Sequence, residues 1–73
     1  PTSTIQVYRS DGSPATSVRV SLEFSSGFTQ SVYTNSNGKA TISHESTGSA
    51  TIYVDGSSRD SFSAPGTRTV RLP

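Results

Sequence analysis

Along most of the chain, apolar residues recur at every second position, the period of a half-buried β-strand. The clearest run is SVRVSLEF: Val18, Val20, Leu22 and Phe24 point to one face, and Arg19, Ser21 and Glu23 to the other. The same period sets Ile5 and Val7 against Gln6 and Tyr8. Phe28, Val32, Ala40, Ile42, Ala50, Ile52, Val54, Phe62, Val70 and Leu72 complete the inward set. No stretch repeats at helical spacing, and Val, Ile, Thr, Tyr and Phe dominate the runs, as suits a pleated, half-covered surface.

Six glycines punctuate this pattern at intervals of roughly ten residues, each behind a turn-prone partner: Asp11, Ser26, Asn37, Thr47, Asp55 and Pro65. Asn-Gly and Asp-Gly supply the positive φ of tight hairpins, and Pro-Gly suits a type II turn. Seven runs of strand character lie between the turns. The predicted fold is all-β, a seven-stranded antiparallel two-sheet Greek-key sandwich with no helix longer than one turn. At 73 residues the chain is one domain spanning residues 1–73, with one shared core.

Composition narrows the function classes. Six Lys and Arg against five Asp and Glu leave a net charge of +1, without the concentrated basic patch of a nucleic-acid binder. No apolar run approaches the ~20 residues of a membrane span. There is no cysteine, so disulfides, thiolate metal sites and a cysteine nucleophile are out. Sixteen Ser and ten Thr give a hydroxyl-rich, charge-poor surface of the kind common on secreted and cell-surface β domains. The chain opens at Pro1 without Met, and both outer strands run close to the ends. It reads as a module of a larger protein, extracellular or at the cell surface.

The order of features carries a resemblance. IQVYRSDGSPATSVRVSLEF, with its strand, Asp-Gly turn, short linker and alternating strand, resembles the opening of transthyretin-like (prealbumin-like) sandwiches. YTNSNGKATI is similar to their central hairpin, and STGSATIYVDG to the strand that follows it. Carboxypeptidase regulatory-like domains and the B-type repeats of Gram-positive adhesins share this layout, and bacterial Ig-like repeats of invasin type carry a comparable Thr-Asn-x-Asn-Gly-Lys-Ala-Thr turn. The resemblance covers residues 4–56. It does not imply the hydroxyisourate hydrolase activity found in the transthyretin-like group, because the histidines of that site are missing. Nor does it imply the Lys–Asn isopeptide bond of adhesin repeats. The first strand has no lysine, the last has no Asn or Asp, and Lys39 is the only lysine.

Candidate chemistry is thin. NSNG lacks the carboxylates that a calcium loop uses, so Asn35 to Gly38 is expected to be a bend. His44, the only histidine, is expected to be a hydrogen-bonded residue at a strand end. No G-x-S-x-G nucleophile motif occurs. Asp11 and Asp55 are turn residues by position, and Arg59 and Asp60 are expected in solvent. No catalytic residue, metal or cofactor is expected, and the chain is not expected to be an enzyme.

Three function classes stay open: a non-catalytic accessory or spacer module contacting neighbouring domains of its parent protein, a carbohydrate- or protein-binding module, and a subunit of a phage- or pilus-type assembly docking by strand edges. One feature bears on binding. Tyr8, Tyr33 and Tyr53 all fall on outward parity, where tyrosine is tolerated on an exposed strand face and improves cross-strand packing; the functional alternative is that they gather with Arg19 or Arg71 into a shallow contact surface. Strand order decides which of them meet.

Overall fold

The computed structural model describes all 73 residues. The chain forms eight strands and no helix: β1 (Thr2–Tyr8), β2 (Arg19–Phe24), β3 (Gly27–Phe28), β4 (Val32–Tyr33), β5 (Lys39–Ser43), β6 (Gly48–Val54), β7 (Ser57–Ala64) and β8 (Thr67–Arg71). They build two sheets. One has the order β5-β1-β8; the other has the order β3-β2-β6-β7, with β4 also pairing with β2.

This departs from expectation in two ways. There are eight strands rather than seven, because Thr29-Gln30-Ser31 interrupts the segment opposite β2 and leaves the two short strands β3 and β4. The pairing is also not wholly antiparallel. β1 and β8 run parallel, with Thr4 opposite Thr67 and Tyr8 opposite Arg71, while all other strand pairs are antiparallel. Parallel pairing is possible here because β1 and β8 are far apart in sequence and need no tight turn between them.

Alternation selects the core as expected on the long strands. Ile5, Val7, Val18, Val20, Leu22, Phe24, Ala40, Ile42, Ala50, Ile52, Val54 and Val70 are all buried, and Ala15 and Ala64 join them. Val32, Phe62 and Leu72 are only half-buried against this cluster. Phe28 corrects the reading: it is 60% exposed. The two-residue turn at Ser25-Ser26 places Gly27 opposite Phe24 and Phe28 opposite Glu23. Directly opposed residues share a face, so Phe28 follows the outward Glu23. Gln6 errs in the other direction. Expected outside, it is buried and donates from Nε2 to the Asn37 carbonyl at 2.6 Å.

The turns explain the register. Asp55 and Gly56 both have positive φ, at 53° and 83°, which makes the β6–β7 loop the two-residue turn whose twist matches its strands. In NSNG, Gly38 donates to the Asn35 carbonyl at 2.9 Å and Asn35 donates to the Lys39 carbonyl at 2.9 Å. The Asn35 side chain accepts from the Asn37 and Lys39 amides. The stretch is a bend, but not a hairpin within one sheet. β4 pairs with β2 and β5 with β1, so this turn carries the chain from one sheet to the other. A second crossing is tied down by Thr34, which is buried, donates to the Ala15 carbonyl at 2.6 Å and accepts from the Val18 amide at 2.9 Å.

Candidate contact surface

Strand order divides the five candidate residues into two groups. β2 is flanked by β4 and β6, so Arg19 lies directly opposite Tyr33, and Ser21 lies opposite Tyr53. Tyr8 is on the other sheet, opposite Arg71. Tyr33, Arg19 and Tyr53 therefore share one sheet, and Tyr8 and Arg71 share the other. Arg71 is engaged elsewhere, donating from Nη2 to the Ser10 carbonyl at 2.7 Å.

Phe28 joins the first group, because the Ser25-Ser26 turn brings it to the same outer face. Its ring meets that of Tyr53 edge-on, with centroids 5.0 Å apart and an interplanar angle of 64°. Such edge-to-face pairs add about 0.5–1.5 kcal/mol beyond the area they bury. The Tyr53 hydroxyl donates to Glu23 Oε1 at 3.1 Å. Donation to a carboxylate is lost on ionisation, and this bond first, with partial desolvation and the Glu23 charge after it, holds the Tyr53 phenol above its ordinary value of 10.0. Tyr53 is thus fixed in place, while Phe28 and Tyr33 are 60% and 64% exposed.

Phe28 and Tyr33 stand opposite residues four apart on β2, a separation of roughly 13 Å along a strand rising about 3.3 Å per residue. The face is therefore a strip. Phe28, Tyr53 and Glu23 occupy one end; Tyr33 and Arg19 occupy the other. The Arg19 guanidinium is not sandwiched between tyrosine rings. It reaches toward the β6–β7 turn, with Nη2 3.5 Å from where a Cβ on Gly56 would stand. Beyond Phe28 the strip adjoins a shallow recess of about 240 Å³, lined by Phe28, Ser26, Thr29, His44, Glu45 and Ser46 among others.

His44 is bound on both sides. Its Nδ1 lies 2.7 Å from the Ser46 carbonyl, which can only accept, so Nδ1 carries the proton. Nε2 then accepts from the Ser3 hydroxyl at 2.8 Å, and Ser3 Oγ accepts from the Gly66 amide at 3.2 Å. The ring packs on Phe24 at 5.2 Å. A serine donating to a histidine invites comparison with a nucleophile and base. Here Ser3 is 1% exposed, which closes its hydroxyl to substrate, and the third group is a carbonyl rather than a carboxylate. The arrangement clasps β1, the end of β5 and the β7–β8 turn together.

Asp60, expected in solvent, is partly engaged. Its carboxylate accepts from the Ser61 amide and pairs with Arg68 at 2.9 Å, and these contacts, in that order, lower its pKa below the ordinary 3.8. Asp11 accepts from the Ser13 hydroxyl and amide and is lowered for that reason. Asp11 makes a local turn contact, Asp60 on β7 ties to Arg68 on β8 of the other sheet, and neither converges on the strip.

No protein-family model matches the chain, and no curated protein matches it.

Phe28 was the residue missed in the sequence. The available signal was the spacing of Phe24 and Phe28 around Ser25-Ser26-Gly27. A two-residue turn there reverses the parity that simple alternation would assign.

Proposed function

We propose that the chain is a non-catalytic accessory module of a larger extracellular or cell-surface protein, and that it works by contact. Its contact surface is the outer face of β3, β2, β6 and β4. Its ligand class is a neutral, hydroxyl-rich polymer such as a glycan. The observation that carries this reading is the placement of Phe28 and Tyr33, the two most exposed large apolar side chains, on one face with Tyr53. Aromatic planes stack on the apolar faces of sugar rings. Glu23, Glu45, Arg19, Ser26 and Ser46 stand near them as hydrogen-bonding partners for hydroxyl groups.

The finer fold reading, a seven-stranded Greek-key sandwich of transthyretin-like type, belongs to the same proposal. Its support is that β3 and β4 both pair with β2 and together count as one interrupted strand.

The experiment is a screen of immobilised oligosaccharides with the native chain and with Phe28→Ser. Retention of a glycan by the native chain, weakened at least tenfold in Phe28→Ser, supports the proposal. Absence of retained glycans, or retention indifferent to Phe28, overturns it.

A second reading, a subunit docking by strand edges, has one favouring observation: β7 is eight residues long and pairs only with β6. Concentration-dependent association in sedimentation, abolished by Ser61→Pro on that edge, would select it.

A further inference from the structure

We propose that β1 and β8 form a shear clamp, so that the domain is built to carry tension between residues 1 and 73. The proposal rests on the reading of the chain as a module within a longer protein, and it concerns a property separate from ligand contact.

Direction comes first. Tension at residue 1 draws β1 toward its N-terminal end, and tension at residue 73 draws β8 toward its C-terminal end. The two strands are parallel neighbours, in register from Thr4 opposite Thr67 to Tyr8 opposite Arg71. The pulls are therefore opposed along the ladder. The strands can part only by sliding, which strains every bond of the ladder together. Antiparallel terminal strands would be loaded from one end and would open one bond at a time.

The ladder is closed at both limits. Thr4 donates to the Gly66 carbonyl at 2.9 Å, and Leu72 donates to the Tyr8 carbonyl at 2.8 Å. Side chains cross it at the same two places. At the start, Ser3 Oγ accepts from the Gly66 amide and is itself held by His44. At the finish, Arg71 reaches the Ser10 carbonyl. Between them Val7 opposes Val70, and both are buried. β1 is also the central strand of its sheet, paired on its other side with β5 from Thr2–Ser43 to Gln6–Lys39. Extracting it breaks a second ladder as well. The Ser3–His44 clasp and the Arg71 contact, which the contact strip does not use, are thereby assigned to the clamp.

Forced unfolding is governed by the unfolding barrier along the pulling direction, so the test compares two directions in one domain. In the first, handles are attached at residues 1 and 73. In the second they are attached at residue 1 and at Thr67→Cys, an exposed site in a chain with no other cysteine, which loads the same ladder from one end. The clamp predicts an unfolding force several-fold higher in the first geometry. It also predicts a single event releasing roughly 230 Å, the length of 73 residues at about 3.6 Å each less a folded span of roughly 30 Å along the β1–β8 ladder. Arg71→Ala, which removes the contact at the far end of the ladder, should lower the force in the first geometry and leave the second unchanged. Equal forces in the two geometries, or early detachment of β8 as a separate small step, overturn the clamp while leaving the contact proposal untouched. A failed glycan screen leaves the clamp untouched in turn.

Discussion

Of the six glycines, Gly38 has the least room for a side chain. Its φ is +76°, and a Cβ built there would lie 2.5 Å from the Val7 carbonyl oxygen, 2.9 Å from Gln6 Nε2 and 3.1 Å from the Ala15 amide nitrogen. The first and third of these atoms are backbone and cannot swing away. Gly38→Ala therefore meets two costs. A side chain in the left-handed region costs about 1–2 kcal/mol. Relieving the clash moves the turn, which puts at risk the bonds from the Val7 amide to the Gly38 carbonyl and from Gln6 to the Asn37 carbonyl, each contributing about 0.5–1.5 kcal/mol. The sum is about 2–5 kcal/mol, against a total stability of about 4–11 kcal/mol for a chain of this length. Gly12→Ala is the control. Its φ is +89°, but nothing lies within 4 Å of the added Cβ, so only the conformational cost of about 1–2 kcal/mol applies. Urea unfolding followed by circular dichroism measures both variants, and thermal melts should separate them by about 4–8 °C for each kcal/mol of difference. Equal midpoints for Gly38→Ala and Gly12→Ala would refute the close approach of the turn to β1.

Other outcomes follow from single contacts. Thr34→Val keeps the shape but orphans the Val18 amide and the Ala15 carbonyl, and should destabilise by about 2–4 kcal/mol; Thr34→Ser, which keeps the hydroxyl, should recover most of that loss in the same urea series. Tyr53 gives a pH signature. Its folded pKa is raised, so its contribution is full below the ordinary value of 10.0 and disappears as pH rises through the higher folded value; Tyr53→Phe should flatten the alkaline limb of stability against pH. Asp60 acts at the other limit. Its folded pKa is lowered, so its contribution is present above 3.8 and lost as pH falls through the lower folded value, and Asp60→Asn should make the acid limb shallower. Intact mass should equal the sum of the sequence, with no loss of ammonia or water, because Lys39 is exposed on β5 and forms no internal cross-link.

The long strands were legible because burial on one face imposes a two-residue period that a single sequence displays. β2 and β6 show this plainly, and Asp55-Gly56 announced its turn. The places that were not legible are those where a residue's partner lies far away in the chain. Alternation says which residues share a face of one strand, but not which strand lies beside it. The parallel pairing of β1 with β8, the crossing of sheets at Asn35–Gly38 and the separation of Tyr8 from Tyr33 all depend on that missing order. Gln6 shows the same limit on a smaller scale. Its parity was outward, yet the Asn37 carbonyl arriving from the β4–β5 turn gives its amide a buried partner, which removes the penalty that would otherwise keep it in water. Pro65-Gly66 was expected as a type II turn, but Ala64–Pro65 is cis and Gly66 has no positive φ.

Chemical-shift mapping tests the contact surface most directly. The chain, labelled on its backbone and aromatic rings, is titrated with the oligosaccharide that the screen retains. The account predicts that the largest shifts fall on Phe28, Tyr53 and Tyr33, with Glu23 and Arg19 next, and that Tyr8 and Arg71 on the opposite sheet stay still. Shifts centred on Tyr8 and Arg71, or spread evenly over both sheets, would contradict it.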